Sequence, residues 1–237
     1  MDPDRQKQLA SLAQKLGVKG VSLKLLNSAL THPSYANENS AQKLEHNQRL
    51  EFLGDAVINL AVGEYLYRAF PTSTEGELTR RRAVAVCSPA LAEAARRMNL
   101  GDYLLLGRGE ELSGGRERDS LLADTFEAVV GALYLSLGWE SVFRRVTDYL
   151  QFDLVDRQWN LHRDYKTSLQ ELVQRRTGRS VNYAVLQESG PDHRKHFKVG
   201  AFLRGKVLGQ GEGRTKKEAE QQAARAALER GDLEELI

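Results

Sequence analysis

The stretch His46-Asn47-Gln48-Arg49-Leu50-Glu51-Phe52-Leu53-Gly54-Asp55-Ala56-Val57-Ile58 decides how the longer part of the chain is read. Leu50, Leu53, Val57, Leu60, Ala61 and Leu66 recur three and four residues apart. That is the period of one helical face, and it predicts a long helix from Asn47 to Arg68, ended by Pro71. Two acids break the apolar run. Glu51 and Asp55 lie four apart, on a stripe shared with Ile58 and Val62. An unpaired carboxylate on such a face is costly, and a cation resolves the cost.

The pattern recurs downstream. Asp124 and Glu127 are three apart within Leu121-Leu122-Ala123-Asp124-Thr125-Phe126-Glu127-Ala128-Val129-Val130. Two helices that each bring two carboxylates would make a four-oxygen site, and hard oxygen ligands suit Mg²⁺ or Mn²⁺. The alternative is that each pair caps a helix or salt-bridges Arg49, Arg80, Arg81 or Arg82.

Around these two helices, residues 1–156 read as all-α. Ser22 precedes Leu23, Leu26 and Leu30, a run that stops near Pro33. Thr74-Glu75-Gly76-Glu77 has capping-box spacing. Ser88-Pro89 reads as an N-cap followed by a first-turn proline. Gly107 to Gly115 reads as a loop, in which Ser113-Gly114-Gly115-Arg116 could approach a phosphate backbone, with Arg116 or Arg118 adding charge. Ser120 opens a helix that ends near Gly138, and an amphipathic helix follows from Trp139 to Val155. His32 and His46 are candidates for acid–base work, with capping or structural roles as the alternative. Cys87 reads as a small core hydrophobe.

After residues 157–163, a connector, the period changes. Leu169, Leu172 and Val173 mark a short helix ending at Gly178. Val181, Tyr183 and Val185 alternate, as do Phe197, Val199 and Ala201. Arg204-Gly205-Lys206 is a tight reversal into Val207-Leu208, a strand expected to end at Gly209, Gly211 and Gly213. Thr215-Lys216-Lys217-Glu218 is a second capping box before Ala219, Ala223, Ala226, Ala227 and Leu228. The order α-β-β-β-α over residues 164–232 predicts an α+β domain with a three-stranded sheet and both helices on one face.

Charge divides the chain at the same place. Residues 1–156 hold 18 basic and 21 acidic side chains, a net of −3. Residues 157–231 hold 16 and 8, a net of +8, which suggests that the second domain meets a polyanion. One cysteine leaves neither a disulfide framework nor a zinc cluster. The polar start Met1-Asp2-Pro3-Asp4-Arg5 is no secretory signal, and no run approaches the roughly 20 apolar residues of a membrane span. A cytoplasmic protein with no membrane partner is therefore expected.

His46 to Ala56 resembles the signature segment of the ribonuclease III family. Leu122-Ala123-Asp124-Thr125-Phe126-Glu127-Ala128 is similar to that family's second acidic helix, and Glu75-Gly76-Glu77-Leu78-Thr79 to a third segment. Asp164-Tyr165-Lys166-Thr167-x-Leu169-Gln170-Glu171 and Gly211-x-Gly213-Arg214-Thr215-Lys216-Lys217-Glu218-Ala219-Glu220 resemble the start and end of a double-stranded-RNA-binding domain. The resemblance runs from about Leu25 to Gly231. It implies a homodimeric, Mg²⁺-dependent endonuclease of double-stranded RNA, without an organic cofactor. Each subunit would cut one strand, leaving 5′-phosphate and 3′-hydroxyl ends with a short 3′ overhang, as in processing of rRNA precursors and other structured transcripts.

Carried over by position, Glu51, Asp55, Asp124 and Glu127 are the catalytic, metal-binding carboxylates, and Glu75 would lie near the site or the dimer-spanning valley. Gln48 stands where the family has Glu; it cannot supply an anionic oxygen and reads as an RNA or structural contact. Thr167, Gln170, Glu171, His193, Lys216 and Lys217 would contact RNA. Independently of the resemblance, duplex RNA is read through phosphates and 2′-hydroxyls across its minor groove. Polar residues on one helix, the Pro191-Asp192-His193 loop and two lysines at a helix N-terminus suit that task. Two other readings use the same residues: a non-catalytic RNA-binding protein and a helix-bundle metal carboxylate protein. The second expects Glu-x-x-His pairs that are not found.

Overall fold

Two helices with glycine at their crossing organise the first unit of the computed structural model. The structure describes residues 1–150, 165–191 and 195–233. Contacts divide the chain into two compact units, residues 1–161 and 162–237. The expected connector, residues 157–163, lies outside the described residues.

The described residues of the first unit are built on helices: α1 (Pro3–Lys15), α2 (Leu23–Ala29), α3 (Pro33–Glu38), α4 (Gln48–Ala69), α5 (Glu75–Ala85), α6 (Ser88–Arg97), α7 (Arg108–Leu112), α8 (Asp119–Leu137) and α9 (Trp139–Leu150). The long α4 and α8 pack directly on each other. A Cβ placed on Gly54 would stand 1.8 Å from the Glu127 carbonyl oxygen, and one on Gly131 would stand 2.3 Å from that of Leu50. Only glycine lets the two backbones touch there. Around the crossing, Ile58, Ala61, Val62 and Leu66 of α4 meet Leu122, Phe126, Val129, Val130 and Leu133 of α8 in one core. Each large side chain so buried contributes about 1.5–3 kcal/mol relative to exposure. Leu91, Ala94 and Ala95 of α6 and Val142 and Val146 of α9 close that core. Tyr149 donates from its hydroxyl to the Leu16 carbonyl at 2.7 Å, and burial pushes its phenol up to about 12.

Helix α8 is, among the described residues, the one helix long and apolar enough to cross a membrane by length and composition. Most of its Leu and Val side chains are instead buried, and the helix packs on α2, α4, α6 and α9.

Several local expectations need correction. Residues 107–115 are not a plain loop: α7 forms there, followed by a 3₁₀ turn at Gly115–Glu117. The ion pairs Arg118–Glu110 (2.6 Å) and Arg116–Glu111 (2.5 Å) hold the segment together. Ser88 is the first helical residue of α6 and Cys87 its N-cap, one position earlier than the proline suggests. Cys87 is exposed at that corner rather than buried, its Sγ 3.2 Å from the Val84 carbonyl. The stretch Pro3–Lys15 is helical, capped by Asp2, which accepts from the Asp4 N–H. The box at Thr74 and Glu77 forms with both of its bonds. The part of the last helix expected beyond Leu150 lies outside the described residues.

The second unit is α10 (Tyr165–Thr177), β1 (Asn182–Ser189), β2 (His196–Leu203), β3 (Lys206–Gly213) and α11 (Lys216–Leu228). The sheet is antiparallel in the order β1-β2-β3. Arg204 and Gly205 both have positive φ (53° and 80°), as a tight hairpin turn requires. Helix α11 lies on β2 and β3, and α10 packs on α11, with Leu169 and Val173 in the same core as Phe197, Val199 and Leu208. β3 runs through Gly209 and Gly211 and ends at Gly213, so only the last of the three glycines ends the strand as expected. Their missing side chains make room for the helix, since a Cβ on Gly211 would meet the Ala223 nitrogen at 2.1 Å. Val185 is exposed, and past it a bulge between Val185 and Gln187 shifts the register of β1. Glu218 accepts from the Arg214 N–H at 2.8 Å, so the second capping box is offset by one residue.

Candidate active site

The α4–α8 crossing brings three of the four predicted carboxylates together. Glu51, Asp124 and Glu127 each offer one oxygen, and these lie within 4.8 Å of one another. All three are half-buried. Glu127 comes from the turn of α8 whose carbonyl touches Gly54, and Glu51 lies one turn before Gly54. The close backbone approach is thus what makes the carboxylates neighbours.

The electrostatics record the crowding. Burial, then the charges of Asp55, Asp124 and Glu51, pushes Glu127 up to about 7. Burial raises Glu51, and Asp124 raises it further. Burial also raises Asp124, against the opposing influence of His32. Among the described residues, no ion pair joins any of these acids to Arg49 or to Arg80, Arg81 or Arg82. The donor set fits a hard divalent cation: oxygens only, on adjoining helices, with protonation the only other relief of their repulsion.

The fourth acid stands apart. Asp55 is exposed, and Asn59 donates from Nδ2 to its Oδ1 at 2.8 Å and to its carbonyl at 3.0 Å. It acts on Glu127 through its charge. Ile58 and Val62, on the same stripe, are buried, so Asp55 marks where the buried face of α4 meets solvent. Gln48 is exposed at the start of α4. Glu75 is exposed at the start of α5, its Oε1 accepting from the Thr79 hydroxyl at 2.9 Å, outside the three-acid group.

Two features lie close to the acids, and in the first His32 takes the capping role offered as the alternative to acid–base work. His32 is the N-cap of α3, its Nδ1 accepting from the Ser34 N–H at 3.2 Å. Pro33 at the first helical position was the signal for it. The Gly107 N–H donates to the Ser34 hydroxyl at 2.8 Å, and Glu38 accepts from the Arg108 N–H at 2.9 Å, so α7 is fastened to α3. The arginines that could have added charge toward a phosphate are engaged here: Arg116 bonds Glu111 and the Leu104 carbonyl, and Arg118 bonds Glu110 and Ser113.

In the second unit Thr167, Gln170 and Glu171 lie on α10, all half-buried. Gln170 is turned to the domain itself: Oε1 accepts from the Val181 N–H at 2.8 Å, and Nε2 donates to Gln174 Oε1 at 2.9 Å. Glu171 faces Arg175 at 3.9 Å. Lys216 and Lys217 are exposed at the start of α11, with Lys216 Nζ 5.6 Å from the centre of the Phe197 ring. His193 lies outside the described residues.

A helical unit with converging carboxylates, joined to a basic α-β-β-β-α unit, defines a ribonuclease with a duplex-RNA-binding module. Residues 22–153 match the Ribonuclease-III-like family model, and residues 165–230 match the double-stranded RNA binding motif. The chain belongs to the ribonuclease III family. Ribonuclease 3 of Pelotomaculum thermopropionicum is 53% identical over 232 residues, covering 98% of this chain and 96% of that protein. Ribonuclease 3 of Heliobacterium modesticaldum is 52% identical, covering 92% and 93%. A solved nuclease domain of ribonuclease III from Campylobacter jejuni superposes with a TM-score of 0.55 at 40% identity, covering 59% of this chain and 94% of that one.

Proposed function

We propose that this ribonuclease is a Mg²⁺-dependent endonuclease of double-stranded RNA that works as a homodimer. It leaves 5′-phosphate and 3′-hydroxyl ends with short 3′ overhangs, and processes rRNA precursors and other structured transcripts in the cytoplasm. The observation that carries the reading is the convergence of Glu51, Asp124 and Glu127 within 4.8 Å. Glu51, Asp124 and Glu127 would hold a divalent cation, which when bound would supply a water of lowered pKa and positive charge for the scissile phosphate. Glu127, poised near 7, gives up its proton as the site charges, and Asp55 adds negative charge from the rim. Mn²⁺ has the same ligand preference and would substitute.

The second unit supplies the hold on RNA. Thr167 and Glu171 on α10 and the lysines at the start of α11 suit a ribose–phosphate surface. His193 belongs to the same proposed surface.

Dimerisation is supported by the outer face of α4, where Phe52, Leu60 and Tyr67 are 83%, 59% and 74% exposed. Beside it lies a cavity of about 570 Å³ whose apolar lining includes Leu25, Leu50, Leu53 and Leu135. An exposed aromatic and an apolar hollow on one unit suit a self-complementary contact. The Campylobacter jejuni nuclease domain is described as having a region involved in dimer formation.

The test compares cleavage of a long RNA duplex in Mg²⁺ and in EDTA, for the wild type and Glu127→Gln. Cutting by the wild type in Mg²⁺ alone, with the variant binding RNA but not cutting, is expected. Binding without cutting by both proteins under several metals would leave a regulatory RNA binder instead. Sedimentation of Phe52→Ala tests the dimer, and a shift toward monomer is expected.

A further inference from the structure

His32 is placed by a hydrogen-bond chain that the carboxylate chemistry does not use. The Gly107 N–H donates to Ser34 Oγ at 2.8 Å, and that oxygen lies 2.8 Å from His32 Nδ1. The Ser34 backbone N–H also points at Nδ1, from 3.2 Å. Since the Ser34 backbone N–H donates to Nδ1, that nitrogen is an acceptor, and the Ser34 hydroxyl 2.8 Å away can only donate to it. Two donors then converge on Nδ1, which is therefore the unprotonated nitrogen. The remaining proton of a neutral imidazole sits on Nε2.

Among the described residues, no hydrogen bond reaches Nε2. The ring is half-buried, and it stands within the electrostatic reach of Glu110 and Asp124 on the negative side and of Arg118 and His46 on the positive. Burial favours its neutral form. An Nε2–H has no lone pair with which to ligate a cation, so His32 is not a fourth metal ligand. A donor within electrostatic reach of Asp124 suits an anionic oxygen that a substrate brings to the carboxylates.

We infer that His32, fixed as the Nε2–H tautomer by the Gly107–Ser34 chain, donates that N–H to a phosphodiester oxygen of the RNA seated over the carboxylates. The inference rests on the reading of Glu51, Asp124 and Glu127 as the cutting site. The cap and the donor belong to different ring nitrogens, so two substitutions separate them. His32→Asn keeps an oxygen that can cap α3 but loses the Nε2 donor. His32→Gln returns an N–H near the Nε2 position.

The experiment uses the full-length protein. Long-range ¹⁵N spectra of its imidazoles should show His32 protonated on Nε2, with that resonance moving when an RNA duplex is added in EDTA. His32→Asn should unfold near the wild-type temperature and bind Mn²⁺ without RNA as the wild type does. Its kcat/KM should fall about tenfold, the size of one missing hydrogen bond to a charged group, and His32→Gln should recover most of it. An Nδ1–H tautomer overturns the inference. So does wild-type cleavage by His32→Asn, an equal loss in both variants, or a loss of Mn²⁺ affinity. If the wild type itself does not cut in Mg²⁺ while the Nε2–H resonance still responds to RNA, the cutting-site reading fails and the RNA contact stands.

Discussion

Gly54 of α4 sits against the Glu127 carbonyl of α8 so closely that a Cβ at residue 54 would lie 1.8 Å from that oxygen. The obstacle is backbone within a core helix, which no rotamer change relieves. Gly54→Ala must drive the helices apart and should destabilise the nuclease unit by more than about 3 kcal/mol. Whatever remains folded should bind Mn²⁺ weakly, because Glu51 and Glu127 separate with their helices. Gly109→Ala meets nothing within 4 Å and is the control, with little change in either measurement.

The pH dependence of the metal-free protein should carry the signature of Glu127. Its carboxyl is raised from 4.5 to about 7 in the folded chain, so between those values the folded state holds a proton that the unfolded state has released. The contribution is fully present below the unfolded value and is lost as pH rises through the folded one. Thermal unfolding in EDTA should therefore shift downward from about pH 5 to pH 8. Glu127→Gln should flatten that slope, and Mg²⁺ should remove it in the wild type. A slope unchanged by Glu127→Gln would show that other groups set it.

Lys216 and Lys217 should act on RNA through phosphate alone. Replacing either with Ala should weaken duplex binding for every sequence alike. The slope of log K against log salt should become shallower by about 0.9 for each phosphate that the variant no longer neutralises. Filter binding of Glu127→Gln protein across a salt series reads this without cleavage. A parallel displacement with unchanged slope would mean that the lysines do not touch phosphate.

The second unit has its own close approach to test. A Cβ on Gly211 would meet the Ala223 nitrogen at 2.1 Å, so Gly211→Ala should lift α11 from the sheet. Loss of duplex binding is expected, together with a lowered unfolding transition for residues 165–233. Unchanged affinity for RNA would mean that the helix can shift without moving Lys216 and Lys217.

Much of this architecture is legible in the residues. The three-and-four spacing of Leu50, Leu53, Val57 and Leu66 states a helix outright, and Thr74 with Glu77 states its neighbour's start, because both are local rules. The acid pairs stand out for being where apolar residues belong. What stays hidden depends on partners distant in sequence. Gly107 to Gly115 reads as a loop until Arg116 and Arg118 are seen to return to Glu111 and Glu110. Gly211 reads as a strand end until α11 is laid on it. Asp55 shares its stripe with Ile58 and Val62, yet only packing tells which turn of α4 has run out of neighbours. Gln170 reads as an RNA contact, and its bond to Val181 shows that it also fastens α10 to the start of β1.

A nuclease that could cut before it finished folding would be a hazard to the messages around it. The contact of Gly54 with α8 removes that hazard by construction. Glu51 and Glu127 come from distant parts of the chain and meet where two bare backbones touch, at a crossing surrounded by the core. A chain in which α4 and α8 have not packed has its acids scattered, so cutting ability depends on that packing.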